Sequence, residues 1–198
     1  MDKKSKILIL SPHADDLELS MGGTVKYLTD LGCNILSVVF SPCFASNTGG
    51  LYQYLHEAYK ILGITESKLL RYEVRKFTYS RQEILEDLAK IRQEFNPDIV
   101  YLPSSKDLHQ DHEVIHKEGL RAFENRTVLG YSLKSEGNFY IPLDITHIEA
   151  KIKASNCYIG QSYKHYFGED YLKAQAMING SKCNAKFAES FEIIKMIL

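Results

Sequence analysis

Short apolar runs alternate with longer amphipathic stretches along this chain. Residues 6–10 (KILIL), 34–40 (NILSVVF), 68–74 (KLLRYEV), 98–103 (DIVYLP) and 127–133 (TVLGYSL) read as strands. Between them, helical spacing predicts helices over 18–31, stopped at Gly32, and over 52–62, ended by Gly63. A third helix opens at Ser80, where Glu83 completes the form of a capping box, and runs to about Phe95 before Asn96-Pro97 breaks it. A fourth covers 112–124. After Pro142 come helical patterns over 146–159 and 169–179, then a short apolar C-terminus. No repeat, low-complexity tract or interdomain linker interrupts the pattern, so 1–198 reads as a single domain.

Alternating strands and helices imply an α/β fold with a mostly parallel sheet and helices on both faces. Right-handed crossovers restrict it to a few doubly wound orders. In such folds the site lies beyond the carboxyl ends of the strands, where the strand order reverses, commonly between the first and fourth strands. Function is therefore expected just after residues 6–10 and just after 98–103.

Composition narrows the picture. The chain has 198 residues, 44% hydrophobic and 25% charged, enough for one sizeable core and incompatible with disorder. The formal net charge of −1 gives no global field for nucleic acid, and Arg71, Arg75, Lys76 and Arg81 are too scattered to form a nucleic-acid site. No apolar run approaches the ~20 residues of a membrane helix. The first run is also shorter than the ~7–15 residues of a signal-peptide core, which places the protein in the cytoplasm. Cys33, Cys43, Cys157 and Cys183 form no C-x-x-C, consistent with reduced, half-buried thiols in that compartment.

Both expected positions are dense in metal-ligand side chains. Ser11-Pro12-His13-Ala14-Asp15-Asp16-Leu17-Glu18 follows the first strand, and Ser104-Ser105-Lys106-Asp107-Leu108-His109-Gln110-Asp111-His112 follows the fourth. Imidazole and carboxylate ligands suit zinc, and a catalytic zinc keeps three protein ligands plus water. Adjacent aspartates can divide the labour, one binding metal while the other handles protons. The bland alternatives are a helix N-cap at Asp15 or Asp16 and a polar loop over 109–112. A rival motif overlaps the second cluster: His112-Glu113-Val114-Ile115-His116 is H-E-x-x-H, the zinc-protease pattern, with Glu113 as base and Glu136 or Glu149 as candidate third ligands. That reading leaves His13, Asp15 and Asp16 unexplained, and His116 is more simply a supporting or helix-surface residue.

PHADDLELSMGGT resembles the H-P-D-D-x-E-L-G-x-G-G-T signature of the PIG-L/LmbE-like N-deacetylases, and DLHQDH resembles that family's D-x-H-x-D-H. AQAMINGSKCNAKFAESFE is similar to its closing A-x-x-R-G…Y-A-E-x-F segment. The resemblance implies a Rossmann-like three-layer α/β/α sandwich and metal-dependent hydrolysis of an N-acetyl group from an amino sugar or sugar conjugate. It implies His13, Asp16 and His112 as zinc ligands, with Fe(II) or Co(II) also compatible with the donors. It implies Asp15 as general base, His109 as oxyanion stabiliser or proton donor to the leaving amine, and Asp111 as the partner that orients a ligating histidine. Gly22 and Gly23 serve close helix approach and make no dinucleotide motif. The implied partner is a small N-acetylated sugar, and a homo-oligomer is compatible with it. A non-catalytic glycan-binding protein on the same fold is the non-enzymatic alternative. The chain departs from the family at Ala14, Ser20 and Asn179, and no arginine marks the start of its second helix.

Among other positions, Asn47–Gly50 reads as a substrate lip or a plain connection, and 158–167 (YIGQSYKHYF) mainly as packing, with Gln161 near the pocket. Lys164 and His165 read as surface charge or as contacts to an acidic substrate group. His56 and His147 read as ordinary helix residues.

Overall fold

In the computed structural model, residues 5–43, 52–133, 137–161 and 163–197 are described. The uninterrupted apolar run Ile7–Leu10 marks a strand covered on both faces, and all four side chains are inaccessible to solvent. It belongs to β1 (Lys6–His13), which lies between β2 (Asn34–Ser41) and β4 (Ile99–Pro103) and runs parallel to both. With β3 (Glu66–Leu69), β5 (Thr127–Tyr131), β6 (Phe139–Leu143) and β7 (Phe187–Lys195), the described residues form a seven-stranded sheet in the order β3-β2-β1-β4-β5-β7-β6. The order reverses between β1 and β4, the predicted switch point.

The described helices are α1 (Asp16–Asp30), α2 (Tyr52–Leu62), α3 (Arg81–Phe95), α4 (Gln110–Ala122), α5 (Ile145–Asn156) and α6 (Glu169–Ser181). The period-two alternation of β1 sorts them between the two faces. Ile7 and Ile9 join a core with residues of α1, α2, α5 and α6, whereas Leu8 and Leu10 join a second core with residues of α3 and α4.

The sheet departs from the sequence reading in two places. The strand expected over 68–74 pairs regularly only over Glu66–Leu69, after which Leu70 N and Tyr72 N still donate to Val39 O and Phe40 O before the chain turns away. The C-terminal third supplies two unexpected antiparallel strands, β6 and β7. β6 is an edge strand, which is why it accommodates Pro142. β7 carries Glu189, Ser190 and Glu192 among its apolar residues, which hides it from a search for apolar runs. The capping box expected at Ser80 does not form. A 3-10 turn, Phe77–Ser80, feeds directly into α3, and the Ser80 side chain makes no cap hydrogen bond. A reciprocal box forms instead between Asp144 and His147 at the start of α5.

Helix α1 is broken at Met21, whose φ of −137° and ψ of 19° are non-helical. The glycines that follow allow close approach: a Cβ on Gly23 would lie 2.9 Å from Leu143 Cδ1, and one on Gly22 would lie 3.1 Å from Lys151 Cγ. The break frees backbone groups that a buried ion pair satisfies. Glu189 accepts from Gly23 N (3.1 Å) and Thr24 N (2.6 Å), while Lys151 Nζ donates to Ser20 O (3.2 Å) and to Glu189 Oε1 (2.5 Å). The pair thus splints both sides of the kink. Lys151→Met should cost about 3–5 kcal/mol by leaving a buried carboxylate unpaired. The double variant Lys151→Met/Glu189→Leu should recover little of it, because the Gly23 and Thr24 amides then lose their acceptor. Urea unfolding midpoints test this, and a double variant as stable as the parent would show that the pair does not splint the kink.

Candidate metal centre

β1 runs on to His13, and α1 begins at Asp16, so only Ala14 and Asp15 span the turn between strand and helix. Asp16 closes that turn by accepting from its own upstream amide, His13 N, at 2.8 Å. Asp15 occupies the N-cap position with no side-chain cap hydrogen bond, so capping does not explain it. Across the switch point, the loop after β4 delivers His109 as the N-cap of α4 and His112 from its first turn.

Three donor atoms from these two loops form a near-equilateral triangle. His13 Nδ1 lies 3.3 Å from His112 Nε2 and 3.4 Å from Asp16 Oδ2, and His112 Nε2 lies 3.2 Å from Asp16 Oδ2. A tetrahedral zinc about 2.05 Å from its N and O donors spaces them about 3.3 Å apart. The donor set therefore fits such an ion in chemistry and in spacing.

Each imidazole is held from behind by a carboxylate. Asp111 Oδ2 lies 3.1 Å from His13 Nε2, and Asp107 Oδ2 lies 2.8 Å from His112 Nδ1. Those partners place a proton on the rear nitrogen and aim the other nitrogen at the triangle. Asp111, fully buried, also accepts from Arg75 N at 2.7 Å. A second grouping, His13, His109 and Asp111, shares this region; Asp111 Oδ2 is engaged by His13 and Arg75, while its buried Oδ1 has no hydrogen-bond partner among the described residues.

Electrostatics follow from the same contacts. Burial disfavours the charged form of His13, yet Asp111 and Asp16 raise it to about 9; burial likewise opposes His112, which Asp16 and Asp107 raise to about 10. Against the burial that would raise it, His112 and His13 hold the Asp16 carboxyl well below the usual range. Asp107 and Asp111 are lowered in the same way, against burial, by His112 and His13 respectively. Asp15 behaves oppositely: burial and the Asp16 charge push it up to about 6, partly offset by His13 and Lys164. His109 is lowered by burial and by the charges of His112 and His13. Its Nδ1 accepts from Asp111 N at 3.2 Å, so neutral His109 carries its proton on Nε2.

The turn is also anchored from beneath. Tyr158 Oη contacts both Ala14 O and, at 2.8 Å, Glu18 Oε1. The Tyr158 hydroxyl is the donor shared between the Ala14 carbonyl and the Glu18 carboxyl. Burial pushes the Glu18 carboxyl up to about 8, against the Tyr158 hydrogen bond that lowers it.

The triangle opens into a cleft of about 580 Å³ lined by His13, Asp15, Asp16, His109 and His112, with Cys43, Arg75, Lys164 and Tyr166 on its walls. Burial, reinforced by the charge of Asp15, pushes the Cys43 thiol up to about 12, which removes it as a nucleophile. Gln161, expected near the pocket, is not among the lining residues. The protease motif is not assembled: His116 Nδ1 is 2.8 Å from Pro103 O, and Glu113 pairs with Lys117 on the surface. Glu149 is exposed on α5, and Glu136 and Asn47–Gly50 lie outside the described residues. Sequence reasoning gave no role to Asp107 or Arg75. Asp107 was legible as the first residue of DLHQDH, whereas Arg75 is distant in sequence and acts through its backbone.

A single-sheet α/β fold with a two-histidine, one-carboxylate centre at its switch point defines a class of metal-binding proteins. The chain belongs to the PIG-L family, whose model, described as GlcNAc-PI de-N-acetylase, matches residues 8–123. It is 25% identical to the diacetylchitobiose deacetylase of Thermococcus kodakarensis over 96% of this chain and 83% of that one. The N,N'-diacetylchitobiose deacetylase of Pyrococcus horikoshii superposes with a TM-score of 0.81 at 24% identity, covering 96% of this chain and 84% of that one. The 4-carboxy-2-hydroxymuconate hydratase of Pseudomonas putida shares the fold with a TM-score of 0.77 at 17% identity, covering 98% of each chain.

The neighbouring carboxylates raise both histidines and so favour protons at the triangle. A divalent ion must displace protons held there, so binding should release protons and tighten as pH rises from 6 towards 9. Calorimetry in buffers of different ionisation enthalpy reads this directly. His13→Ala, Asp16→Ala and His112→Ala should abolish binding, whereas His116→Ala should retain it. Tyr158→Phe frees the Ala14 carbonyl and should weaken metal affinity by about 10- to 100-fold, the usual effect of removing a group that orients ligands. Unaltered affinity in that variant would show that the clamp does not position the turn.

Proposed function

We propose that this protein is a zinc-dependent N-deacetylase that releases acetate from an N-acetylated amino sugar or sugar conjugate. The observation that carries the reading is the donor triangle, spaced for one ion, with Asp15 beside it and free of capping duty. Family membership and the similarity to diacetylchitobiose deacetylases support the substrate class. Zinc held by His13, Asp16 and His112 would polarise the acetyl carbonyl and acidify adjacent water, and Fe(II) or Co(II) would suit the same donors.

The chain's own residues supply the remainder. Asp15 takes a proton from the attacking water as its oxygen adds to the acetyl carbon. With its carboxyl near 6, it is ionised at neutral pH yet still basic enough to act. His109 is neutral, and its Nε2–H donates to the carbonyl oxygen as that atom gains charge. Asp111 and Asp107 keep His13 and His112 in register throughout. Asp15 passes the proton it took to the nitrogen, the carbon–nitrogen bond breaks, and the amine leaves with acetic acid, which ionises to acetate. The helices on both faces of one sheet support the three-layer reading of the fold. The free thiols of Cys33, Cys43, Cys157 and Cys183 support a reducing, cytoplasmic location.

Acetate release from a panel of N-acetyl amino sugars, with and without chelator, tests the activity. Chelator-sensitive release is expected; tight sugar binding with no acetate would favour a binding protein. Asp15→Asn should keep metal and substrate affinity while lowering kcat by about 10²–10⁴. Asp15 must be ionised to accept a proton, so wild-type activity should rise with pH along an acid limb at or below about pH 6, a bound cation lowering it further. A variant with wild-type turnover and the same limb would transfer the base role away from Asp15.

A further inference from the structure

The loop leaving β4 carries Asp107 and His109 and leads into His112. Its root is gripped by a carboxylate from two strands away. Glu192 of β7 accepts from Ser104 Oγ (2.7 Å) and Ser105 N (2.8 Å) at Oε2, and from Ser105 Oγ (2.5 Å) at Oε1. A carboxylate near a strand end is ordinarily satisfied by water. Three protein donors converging on one acid mark a built contact instead.

The sheet is shaped for that reach. β5 stands between β4 and β7, so the contact crosses two strand spacings, about 9–10 Å. The residue it passes over is Gly130, the register partner of Glu192 on β5. A Cβ on Gly130 would lie 3.1 Å from Glu192 Oε2 and 2.9 Å from Ser104 Cα. The missing side chain therefore leaves the passage through which the carboxylate meets the loop, and an aspartate, one methylene shorter, would fall short of it. Against the burial that would raise it, Ser105, Ser104 and His116 hold the Glu192 carboxyl below its usual range, so it serves as an acceptor. His116 adds a second hold on the end of β4, its Nδ1 donating to Pro103 O at 2.8 Å.

From Ser104 the contacts run on to the centre. Ser104 Oγ accepts from Lys106 N at 3.2 Å, and Ser104 O accepts from Asp107 N at 3.1 Å. Asp107 Oδ2 then stands 2.8 Å behind His112 Nδ1, and Asp107 Oδ1 accepts from His109 N at 3.0 Å. One tight turn over 104–107 thus joins a carboxylate on β7 to both functional histidines of the loop. We propose that Glu192 is a positioning residue: by fixing Ser104 it sets Asp107, and through Asp107 the ligand His112 and the donor His109. The His112 half of this inference needs only the metal centre, whereas the His109 half rests on the deacetylase reading above.

The test compares Glu192→Leu and Ser104→Ala with the parent chain. Zinc affinity, read by competition with a chromophoric chelator, should fall about tenfold in each, the lower end of the effect of losing a group that supports ligands. The visible spectrum of the Co(II)-loaded chain, which reports ligand geometry, should shift. With an N-acetyl substrate, kcat should fall about tenfold or more while KM changes little, because His109 acts on charge that develops after binding. The double variant should lose no more than the worse single one, since both cut the same connection. Glu192→Gln should restore the parent values: its oxygen can accept from Ser104 Oγ and Ser105 N, and its amide can donate to the Ser105 hydroxyl. Glu192→Asp, charged but short, should not restore them. A carboxylate serving stability alone would lower the urea midpoint and leave zinc affinity, the Co(II) spectrum and kcat unmoved. That result in folded variants overturns the inference, as does rescue by Asp but not by Gln. Should Glu192→Leu fail to fold, Ser104→Ala decides by the same readouts. No acetate from any substrate overturns the deacetylase reading instead, and zinc affinity and the Co(II) spectrum still decide the role of Glu192.

Discussion

One carboxylate oxygen organises the centre of this molecule. Asp16 Oδ2 accepts the His13 amide at 2.8 Å and faces His13 Nδ1 at 3.4 Å and His112 Nε2 at 3.2 Å. Extended outward, the contacts form an alternating series, Asp107, His112, Asp16, His13 and Asp111, in which each imidazole stands between two acids. Each member restricts its neighbours, so the imidazoles are oriented before any ion arrives. Such preorganisation lets a metal exchange protons for itself without reshaping the site. It also explains why neighbouring aspartates behave so differently: the histidines depress Asp16, while the Asp16 charge and burial lift Asp15.

The rest of the fold keeps that series in register. Parallel pairing of Ile7 with Ile99 and of Ile9 with Tyr101 fixes β1 beside β4, and their carboxyl ends release the two loops at one edge. From beneath, Tyr158 reaches from the end of α5 to the Ala14 carbonyl, tying the turn to the C-terminal half. Further along α1, Glu189 of β7 and Lys151 of α5 take up the backbone groups freed at Met21. The antiparallel strands and last helices therefore supply the supports behind a site that the N-terminal two-thirds supplies in front.

What the sequence revealed follows the reach of each signal. Periodicity located β1 and β4, and topology turned two local ligand-rich clusters into one place; it was the family resemblance that singled out His13, Asp16 and His112 within them. β7 was not legible, since its carboxylates are useful only through partners distant in sequence, such as Gly23 and Thr24. The strand expected over 68–74 was half legible: its amides continue to pair with β2, but the left-handed turn at Arg75 is dictated by Asp111, which no local pattern encodes. The Ser80 capping box failed for a related reason, because local capping chemistry could not foresee a 3-10 turn running into the helix. Tyr158 reads as core and is buried; its hydroxyl contact with Ala14 appears only in three dimensions.

Shared architecture does not decide the chemistry. A hydratase with a TM-score of 0.77 and a deacetylase with a TM-score of 0.81 both superpose on this chain, so the fold admits unrelated reactions. The discriminating facts are local. Two imidazole nitrogens and one carboxylate oxygen stand at the edge length of a tetrahedral site, which suits an ion that polarises a carbonyl. A half-raised carboxyl stands beside them, suited to moving a proton near neutral pH. A neutral histidine with its proton on Nε2 stands at the cleft, able to donate where negative charge develops. Amide hydrolysis needs those three functions together, and their convergence at one strand edge is what makes the family's chemistry the natural reading of this site.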